Sequence, residues 1–355
     1  MTFALPSPSR AFTVCGNPKR DSSADELRRL QNDVGAFFPR TAHAHLTNFL
    51  QRKIDEHVIL LRLMAQTVSI IGAGRLGRTL GKRLRELGWR VGAVVTRSAA
   101  SSRAAVRAIG AGTPHADLTS RALDADLIFL ATPDGTLADV ARTLAEIGGR
   151  ECRGKVILHG SGALDSSVLA PLAKRGAFTG SLHPMQTFSD RVATNLRGVV
   201  FTIEGHPRAR RVGRRIAQDL GGVPVALKGE SKGAYHAGGT LVAGHALALV
   251  EAATQVLMEI GFTRRRAAQA LLPLIRQTLD NFERLGPKAS FTGPISRGDY
   301  ATVRKHRDAF RKHPREFQDA YATVAFLAGR VLSANPGKTI RDLKRVLKNP
   351  RGGSQ

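Results

Sequence analysis

Three side chains that can donate or accept a proton stand in two short stretches of the sequence. Lys232 and His236 lie four residues apart in ESKGAYHAGG, so they share one face of a predicted helix. His183 precedes a proline in GSLHPMQTF, which holds its backbone extended and fixes the direction of its ring. An imidazole is suited to proton exchange with a carbonyl or an imine. Two alternatives stay open: His183 is a structural residue that bonds a neighbouring loop, or Lys232 is a solvated residue at the start of its helix.

Two glycine-containing loops supply further groups that could bind a substrate. Ser161 and Gly162, in LHGSGAL, present a hydroxyl and a close approach of the backbone. Arg297, in the polar loop TGPISRGD, can clamp a carboxylate or a phosphate. Asp299 in the same loop serves equally well as the N-cap of the next helix. We therefore assign Ser161, Gly162 and Arg297 to substrate binding.

A glycine-rich turn earlier in the chain points to a dinucleotide. TVSIIGAGRLG places Gly72, Gly74 and Gly77 in a G-x-G-x-x-G pattern between an apolar strand and an amphipathic helix. The first glycine permits a tight turn, the second lets a pyrophosphate approach the backbone, and the third lets helix and strand pack closely. N–H groups at the helix start point at the anion, so we assign Arg75 and Leu76 to the same site. The alternative is a turn with incidental glycines.

The end of the second predicted strand indicates which dinucleotide binds. A site for NAD usually has an Asp or Glu there, which bonds the ribose 2′-OH. The stretch AVVTRSAASSR instead offers Thr96, Arg97 and Ser98 and no carboxylate. Arg97 can form a bidentate pair with a 2′-phosphate, and the hydroxyls can donate to it. The sequence therefore favours NADP over NAD, unless Arg97 merely stacks on adenine or faces solvent.

A third stretch, DLIFLATPDGTL, adds residues at the end of another predicted strand. Thr132, Pro133 and Asp134 fall at its carboxyl end, where ligands bind in open α/β sheets. Asp134 serves equally well as the N-cap of the helix that follows. We assign all three residues to the cofactor site.

Between residues 67 and 228, strand and helix signals alternate. Short apolar runs predict strands at Val68–Ile71, Val91–Thr96, Leu127–Ala131, Val156–Leu158, Phe178–Leu182, Val199–Ile203 and Val223–Leu227. Helical patterns lie between them at Leu76–Leu87, Leu137–Ile147 and His206–Leu220. This alternation predicts an α/β fold with a parallel, doubly wound sheet. After Lys228 only helices are predicted, at Lys232–Ile260, Thr263–Leu285, Asp299–Lys312 and Pro314–Leu332.

The composition restricts the class of protein. The 355 residues suffice for two domains. Two cysteines, Cys15 and Cys152, support neither a disulfide framework nor a zinc site, which fits a reducing cytoplasm. The most apolar stretch, Thr240–Phe262, is interrupted by ionisable residues, so we expect a buried helix there and no membrane span. We also expect no secretory signal, because the N-terminal stretch lacks a long apolar run.

The net charge of +26, from 54 Lys and Arg against 28 Asp and Glu, raises the question of a nucleic-acid partner. The excess is mainly arginine scattered over stretches such as RARRVGRR, with few aromatic residues to stack bases. An arginine-rich genome or the attraction of phosphorylated ligands explains the charge more simply. We therefore expect no nucleic-acid partner.

With these residues in view, the chain resembles a family of Rossmann-like proteins that carry the DUF2520 domain. They are candidate oxidoreductases related to pyrroline-5-carboxylate reductases and to the 6-phosphogluconate and β-hydroxyacid dehydrogenases. The resemblance spans roughly residues 67–332 and rests on VSIIGAGRLG, FLATPDGTL, ILHGSGALDSSVLAPLAKRGAFTGSLHPMQTF, KGAYHAGGTLVAGHAL and FTGPISRGD. It implies a Rossmann sheet, an all-helical C-terminal domain of the 6-phosphogluconate dehydrogenase type, a nicotinamide cofactor and a homodimer whose helical domains interlock. It implies no particular substrate.

The same resemblance gives roles to several residues. In β-hydroxyacid dehydrogenases, a lysine on the corresponding helix, with an asparagine one turn on, protonates the substrate oxygen. Lys232 is similar in position, and His236 stands in the place of the asparagine. Gly244 departs from the Asn or Pro of family members, which leaves the substrate contacts open. FTGPISRGD replaces the SPGGTT-like motif of pyrroline-5-carboxylate reductases, which argues against proline synthesis.

These observations predict four segments. They are a partly disordered N-terminal extension at residues 1–63, a Rossmann domain at 64–228, a helical DUF2520-like substrate and dimerisation domain at 229–334, and a basic tail at 335–355 that frays. Because Met64 stands three residues ahead of the first strand, our hypothesis is that the functional protein begins near it. The residues before it would then be an appendage or an over-extended gene model.

The sequence as a whole predicts a cytoplasmic, NADP-dependent oxidoreductase. We expect hydride transfer between the nicotinamide and a small carbonyl, imine or hydroxy acid, bound between the carboxyl edge of the sheet and the Lys232 helix. Lys232 or His236 would handle the proton. The alternative from another class is a sensor or scaffold that binds NADP without turning it over.

Overall fold

The computed structural model describes residues 66–189 and 194–347. They form two compact units. Unit 1 comprises residues 66–132, 139–158 and 171–178. Unit 2 comprises residues 133–138, 159–170, 179–189 and 194–347. The predicted N-terminal extension, with Cys15, lies outside the described residues.

Unit 1 is built on five short, mainly apolar strands. They are β1 Thr67–Ile71, β2 Arg90–Val95, β3 Thr113–His115, β4 Leu127–Leu130 and β5 Val156–His159, in the order β3-β2-β1-β4-β5. β1 pairs in parallel with both β2 and β4, and β2 pairs in parallel with β3. Every residue of β1 and β4 is buried, as parallel strands covered on both faces require. The predicted parallel, Rossmann-like arrangement is confirmed here.

The helices that lie wholly or mostly in unit 1 follow apolar stripes in the sequence. They are α1 Arg75–Glu86, α2 Ala99–Ile109, α3 Asp134–Gly148 and α4 Ala170–Lys174. On α1, Leu80 and Leu84 are buried four residues apart, on one helix face. Two elements were not predicted. The sequence of α2, AASSRAAVRAI, carries mainly small and polar residues. Strand β3 has only three residues, and one of them is Pro114.

Unit 2 contains three strands, of which one runs against the predicted direction. They are β6 Phe178–Pro184, β7 Val200–Gly205 and β8 Val223–Ala226, with α5 Pro207–Asp219 between the last two. β7 is antiparallel to β6, with Ser181 opposite Glu204, whereas β8 is parallel to β7. The β6–β7 pair is thus the antiparallel exception to the predicted parallel, doubly wound sheet. An antiparallel pair needs no crossover helix, whereas α5 supplies the crossover that the parallel pair requires.

The rest of unit 2 is helical, as predicted. Its helices are α6 Lys232–Thr240, α7 Ala246–Glu259, α8 Arg264–Ala289, α9 Pro294–Arg297, α10 Tyr300–Ala309, α11 Arg315–Val331 and α12 Pro336–Leu347. A π-helical turn, Leu241–His245, joins α6 to α7, so the predicted helix at Lys232–Ile260 contains an irregular turn. Within α8, Gly286 has a φ of 77° and interrupts the helix one residue after its predicted end at Leu285.

The C-terminal helix α12 corrects the expectation of a fraying basic tail. Its residues Leu343 and Val346 lie in an apolar cluster with Val303 and Ala325, and Leu343 is completely buried. Arg307 Nη1 donates a hydrogen bond of 2.7 Å to Val346 O, which satisfies a carbonyl at the helix end. For residues 336–347 the expectation was wrong because the basic residues of KTIRDLKRVL occupy the exposed face, while the apolar residues repeat at helical spacing.

One helical stretch, Gly229–Glu259, is long and apolar enough to cross a membrane by length and composition alone. Only 6% of the most apolar 18 residues of this stretch are buried. Leu241, Val242 and Leu247 are 56%, 77% and 69% exposed. The expectation of a buried helix is therefore wrong for the single chain. An exposed apolar surface of this kind is typical of a contact with another molecule.

Candidate dinucleotide site and lysine cluster

The glycine-rich turn between β1 and α1 leaves no room for side chains at its first and third glycines. Gly72 has a φ of 86°, and a Cβ there would lie 2.6 Å from Thr132 N. A Cβ at Gly77 would lie 2.6 Å from Gly72 O and 3.2 Å from Ile70 Cγ2. The first glycine therefore permits the turn and the third permits close packing of α1 on β1, which are the roles that the motif predicts.

The second glycine faces open space at the start of α1. Apart from Gly74, its chain neighbours and the nearby backbone of α1, no heavy atom of the described residues lies within 4 Å of the position that a Cβ of Gly74 would take. Arg75 and Leu76 are the first two residues of α1, whose first turn has no side-chain cap and no acidic residue. N–H groups in a first helical turn cannot bond within the helix, and they lie at the positive end of its dipole. The space above this turn therefore fits a pyrophosphate.

Thr132, just after β4, adds an unsatisfied hydroxyl to unit 1. Its Oγ1 is buried and has no hydrogen-bond partner in the described part of the chain. A buried hydroxyl without a partner is uncommon and indicates contact with a ligand or a water. Because the Thr132 backbone lies against Gly72, this hydroxyl fits the predicted cofactor site. Pro133 and Asp134 follow in unit 2; both are exposed, and Asp134 is the first residue of α3.

The loop after β2 carries the residues predicted to select NADP. Arg97 is exposed, and no Asp or Glu occurs between Arg90 and His115. Ser98 caps α2, because its Oγ accepts a hydrogen bond of 3.2 Å from Ser101 N. With the Ser98 hydroxyl engaged at the helix start, the predicted selection of a 2′-phosphate depends mainly on Arg97.

In unit 2, Lys232 at the start of α6 is buried and held by hydrogen bonds. Its side chain is only 1% exposed, and Nζ donates to Ser161 O at 2.6 Å and to Ser181 Oγ at 2.8 Å. Burial lowers the pKa of Lys232 to about 8, against the opposing effect of nearby carboxylates, of which Glu204 is the strongest. The alternative of a solvated lysine is therefore wrong.

Two imidazole rings and a phenol form the surroundings of Lys232. His183 Nδ1 lies 3.0 Å from Tyr235 Oη, and the rings of His183 and His236 meet edge to face with centroids 5.9 Å apart. Burial, followed by the charges of Lys232 and His236, lowers the pKa of His183 to about 4. His183 is therefore neutral at pH 7 and orients a partner by hydrogen bonding. Its observed partner is on α6 rather than in a neighbouring loop.

The loop after β5 completes this arrangement with its backbone. A Cβ at Gly162 would lie 2.5 Å from His236 Cδ2 and 2.7 Å from His183 Nε2, so only glycine fits between the two rings. Ser161 contributes its carbonyl, while its Oγ accepts hydrogen bonds from Ala163 N and Leu164 N within the loop. Together these residues form what we call the Lys232 cluster: Ser161, Gly162, Ser181, His183, Lys232, Tyr235 and His236.

His159, the last residue of β5, is a buried group that the sequence analysis did not single out. It is completely buried, and its Nδ1 accepts a hydrogen bond of 3.2 Å from Ser161 N. Burial, followed by the charge of Lys232, lowers the pKa of His159 to about 3, so the ring is neutral. Nε2 has no partner among residues 66–189 and 194–347.

Ser181 and Tyr235 were also missed, although the sequence contained a signal for each. Ser181 lies two residues before His183 in a strand, so both side chains project from the same face. Tyr235 lies three residues after Lys232 and shares its helix face. A search for polar neighbours at these spacings would have found both.

Among the described residues, Arg297 and Asp299 form no hydrogen bond with the Lys232 cluster. Asp299 caps α10, because Oδ1 accepts from Thr302 N at 3.1 Å and Oδ2 accepts from Thr302 Oγ1 at 2.6 Å. The capping interpretation of Asp299 is therefore confirmed. Arg297 is exposed and makes no hydrogen bond to the cluster within the described residues, so its role in substrate binding stays a prediction.

Solved structures share this fold. A candidate NADP oxidoreductase from Bacteroides fragilis aligns with a TM-score of 0.61 and 22% identity, over 73% of this chain and 96% of that chain. A protein from Thermotoga maritima aligns with a TM-score of 0.55 and 22% identity, over 78% and 98%. A reductive aminase from Aspergillus terreus, solved with NADPH and ethyl-5-oxohexanoate, aligns with a TM-score of 0.53 and 18% identity, over 82% and 97%. At these identities the similarity establishes the fold.

Two family models match the sequence itself. A Rossmann-like domain matches residues 55–184, and a domain of unknown function, DUF2520, matches residues 199–327. No curated protein matches the chain. The glycine-rich turn falls within the first match and Lys232 within the second. The chain therefore carries a Rossmann-like domain followed by a DUF2520 domain, as the resemblance of its motifs predicts.

Proposed function

We propose that this protein is an NADP-dependent oxidoreductase that acts on a small carbonyl, imine or hydroxy-acid substrate. The observation that carries the proposal is the buried Lys232 side chain, held by two hydrogen bonds near the neutral imidazole of His183. Lysine is almost never fully buried unless it is paired, and perturbed ionisable groups cluster at functional sites. Proteins of the same fold described as a candidate NADP oxidoreductase and as a reductive aminase support the reaction class.

Unit 1 supports the cofactor part of the proposal. The pyrophosphate would lie against the start of α1 at Gly74, and Arg97 would bind the 2′-phosphate. When bound, NADPH supplies a hydride to the carbonyl or imine carbon and leaves as NADP⁺. NADP is favoured over NAD because the loop after β2 offers a guanidinium where NAD sites have a carboxylate.

Lys232 supplies the proton in this proposal. Two of its three N–H groups are held by Ser161 O and Ser181 Oγ, and Nζ has no third hydrogen-bond partner among the residues that the structure describes. The third N–H is therefore available to a substrate oxygen or nitrogen. With a pKa of about 8, the group is about nine-tenths protonated at pH 7 and still gives up its proton readily. The ammonium stabilises the negative charge that develops on the substrate oxygen and then neutralises it.

The rings of the Lys232 cluster position the substrate. A side chain at position 162 would clash with His183 Nε2 and with the His236 ring, so glycine at this position lets both rings keep their places. The other nitrogen of His183 is tied to Tyr235, which fixes the direction of the ring. The His236 ring contacts the same ring edge to face.

NADPH oxidation across a panel of oxo acids, ketones and imines tests the proposal. The wild-type protein is expected to turn over at least one member, and Lys232→Met is expected to lower kcat by about 10²- to 10⁴-fold with NADPH affinity unchanged. Lys228→Met is the matched control, because the Lys228 side chain is 83% exposed four residues away.

The outcomes of this assay separate the competing functions. NADPH binding without oxidation in the presence of any panel member would support the sensor or scaffold instead. Full activity of Lys232→Met would contradict the role of Lys232 as the proton donor.

We also propose that the helical part of unit 2 forms a homodimer interface. A set of apolar side chains in this part is more than half exposed: Leu241, Val242, Leu247, Ile260, Leu274, Leu279, Phe282 and Leu285. Apolar surface of this extent marks a contact with another molecule, and a second copy of the chain is the commonest partner. The family resemblance, with its interlocking helical domains, supports the same partner.

Sedimentation equilibrium tests the homodimer. The wild-type protein is expected to be dimeric, and the double variant Val242→Glu, Leu247→Glu is expected to be monomeric, because it places two carboxylates on the interface. Leu87→Glu, which changes an exposed leucine of unit 1, is the control and should remain dimeric. A monomeric wild-type protein, or one that binds vesicles of phosphatidylcholine and phosphatidylglycerol through this surface, would contradict the proposal.

A further inference from the structure

A buried carboxylate near Lys232 has half of its hydrogen-bonding capacity unused. Glu204 on β7 is 6% exposed, and its Oε2 accepts a hydrogen bond of 2.7 Å from Ser166 Oγ. Its Oε1 is buried and has no hydrogen-bond partner within the described ranges. A carboxylate is seldom buried with a neutral hydroxyl as its only partner, because burial removes the charge from water. A positive charge nearby would compensate it.

The register of the strands places Glu204 near Lys232. Glu204 on β7 lies directly opposite Ser181 on β6, so the two side chains project from the same face of the antiparallel pair. Ser181 Oγ in turn accepts the 2.8 Å hydrogen bond from Lys232 Nζ. Ser181 therefore connects the two groups, because it pairs with Glu204 across the strands and bonds the Lys232 ammonium with its hydroxyl. The carboxylate and the ammonium form no direct ion pair within the described residues, but their charges attract each other through space.

We infer that Glu204 is the counter-charge that keeps Lys232 protonated in its buried site, and thus a positioning residue for the proton that Lys232 donates. Only the catalytic consequence rests on the proposed function, because the charge state of Lys232 can be measured without any substrate. Removing the carboxylate leaves the ammonium buried without its strongest electrostatic partner, so the lysine should lose its proton at lower pH.

Other titratable groups also face Lys232, and none of them can replace Glu204. The other carboxylates are Asp134 and Asp165, and the imidazoles of the surroundings are His159, His183 and His236. Asp134 is exposed and Asp165 is partly exposed, so water screens their charges more than that of Glu204. His159 and His183 are neutral at pH 7 because their pKa values lie at about 3 and about 4.

An NMR titration of protein labelled with ¹³C at lysine Cε measures the inference directly. The Lys232 signal is identified by its loss in Lys232→Met. Glu204→Gln is expected to lower the titration midpoint of Lys232 by about one pH unit, since a nearby opposite charge shifts a pKa by one to three units. Ser166→Ala is the matched control, because it removes the hydrogen bond to Glu204 but retains the carboxylate. The titration midpoint of Lys232 in Ser166→Ala should match that in the wild type.

Two results would overturn the inference. The first is an equal Lys232 midpoint in the wild type and in Glu204→Gln; the second is an equal shift in Ser166→Ala and Glu204→Gln, which would assign Glu204 a structural role. If Glu204→Gln does not fold, the folding of the double variant Glu204→Gln, Lys232→Met tests the inference instead. Recovery of folding in the double variant supports the counter-charge, because the uncompensated ammonium is gone, and failure to recover contradicts it.

The activity of Glu204→Gln adds a catalytic readout where a substrate has been found. A shift of one pH unit in the midpoint should reduce turnover about fivefold at pH 8 and leave it within about 1.2-fold of the wild type at pH 6. An equal loss at both pH values would contradict the inference. If no substrate is found, the proposed function fails while the NMR result still decides the role of Glu204.

Discussion

Replacing Lys232 with methionine should change how the stability of the protein responds to pH. Methionine keeps most of the apolar stem but removes the ammonium and its bonds to Ser161 O and Ser181 Oγ. An unperturbed lysine has a pKa of 10.5, whereas burial lowers the pKa of Lys232 to about 8 in the native protein. At pH 7 the native protein therefore holds a charge in surroundings that disfavour it relative to the unfolded chain.

The sign and size of the effect follow from proton linkage. Between about pH 8 and pH 10.5 the native Lys232 is neutral while the unfolded lysine still binds a proton, so the free energy of unfolding rises with pH in this window. Each unit of pKa difference corresponds to about 1.4 kcal/mol. Over the range from pH 7 to pH 10 the wild-type protein gains about 2 to 3 kcal/mol from this residue. The methionine variant lacks the gain, because nothing titrates at position 232.

Urea denaturation at pH 7 and pH 10, followed by circular dichroism at 222 nm, measures the difference. The stability of the wild type relative to Lys232→Met should increase by about 2 to 3 kcal/mol between the two pH values. Lys228→Met serves as the control and should show no such change, because the side chain is exposed. A difference between wild type and Lys232→Met that does not vary with pH would refute the conclusion that the charge of Lys232 is buried.

Substitutions at three glycines and at Arg97 give four further expectations. Gly162→Ala should abolish most NADPH oxidation without changing the circular dichroism spectrum, because its Cβ would displace the His236 ring; full activity in steady-state kinetics would contradict the assigned geometry. Gly74→Ala should weaken NADPH binding in calorimetry and leave the melting temperature unchanged. Gly72→Ala should lower the melting temperature, because the φ of 86° at Gly72 and the backbone contacts around it exclude a Cβ. Arg97→Ala should raise the Kd for NADPH about tenfold or more and leave that for NADH unchanged; an equal loss for both would place the 2′-phosphate elsewhere.

The strands and helices with strong apolar patterns could be predicted from the sequence. The runs at Val68–Ile71 and Leu127–Ala131 fall in β1 and β4, because buried parallel strands need continuous apolar residues. The direction of β7 could not be predicted, because it depends on tertiary connection rather than on local pattern. The small residues of Ala99–Ile109 gave no apolar stripe, so α2 was also missed.

The candidate site was predicted in its residue types but only partly in its arrangement. Lys232 and His183 were identified from their chemistry and their neighbours in sequence. The burial of Lys232 could not be predicted, because a lysine in the first turn of a helix is usually solvated. Glu204 carries no motif, and only its register opposite Ser181 reveals its proximity to Lys232.

The pH profile of NADPH-dependent reduction between pH 6 and pH 10 tests the central claim most directly. If the Lys232 ammonium donates the proton, kcat should be level below about pH 7 and should fall about tenfold per pH unit above about pH 8, as the lysine loses its proton. In Lys232→Met the remaining slow reaction should lack this fall. A wild-type profile that stays level to pH 10 would contradict the account.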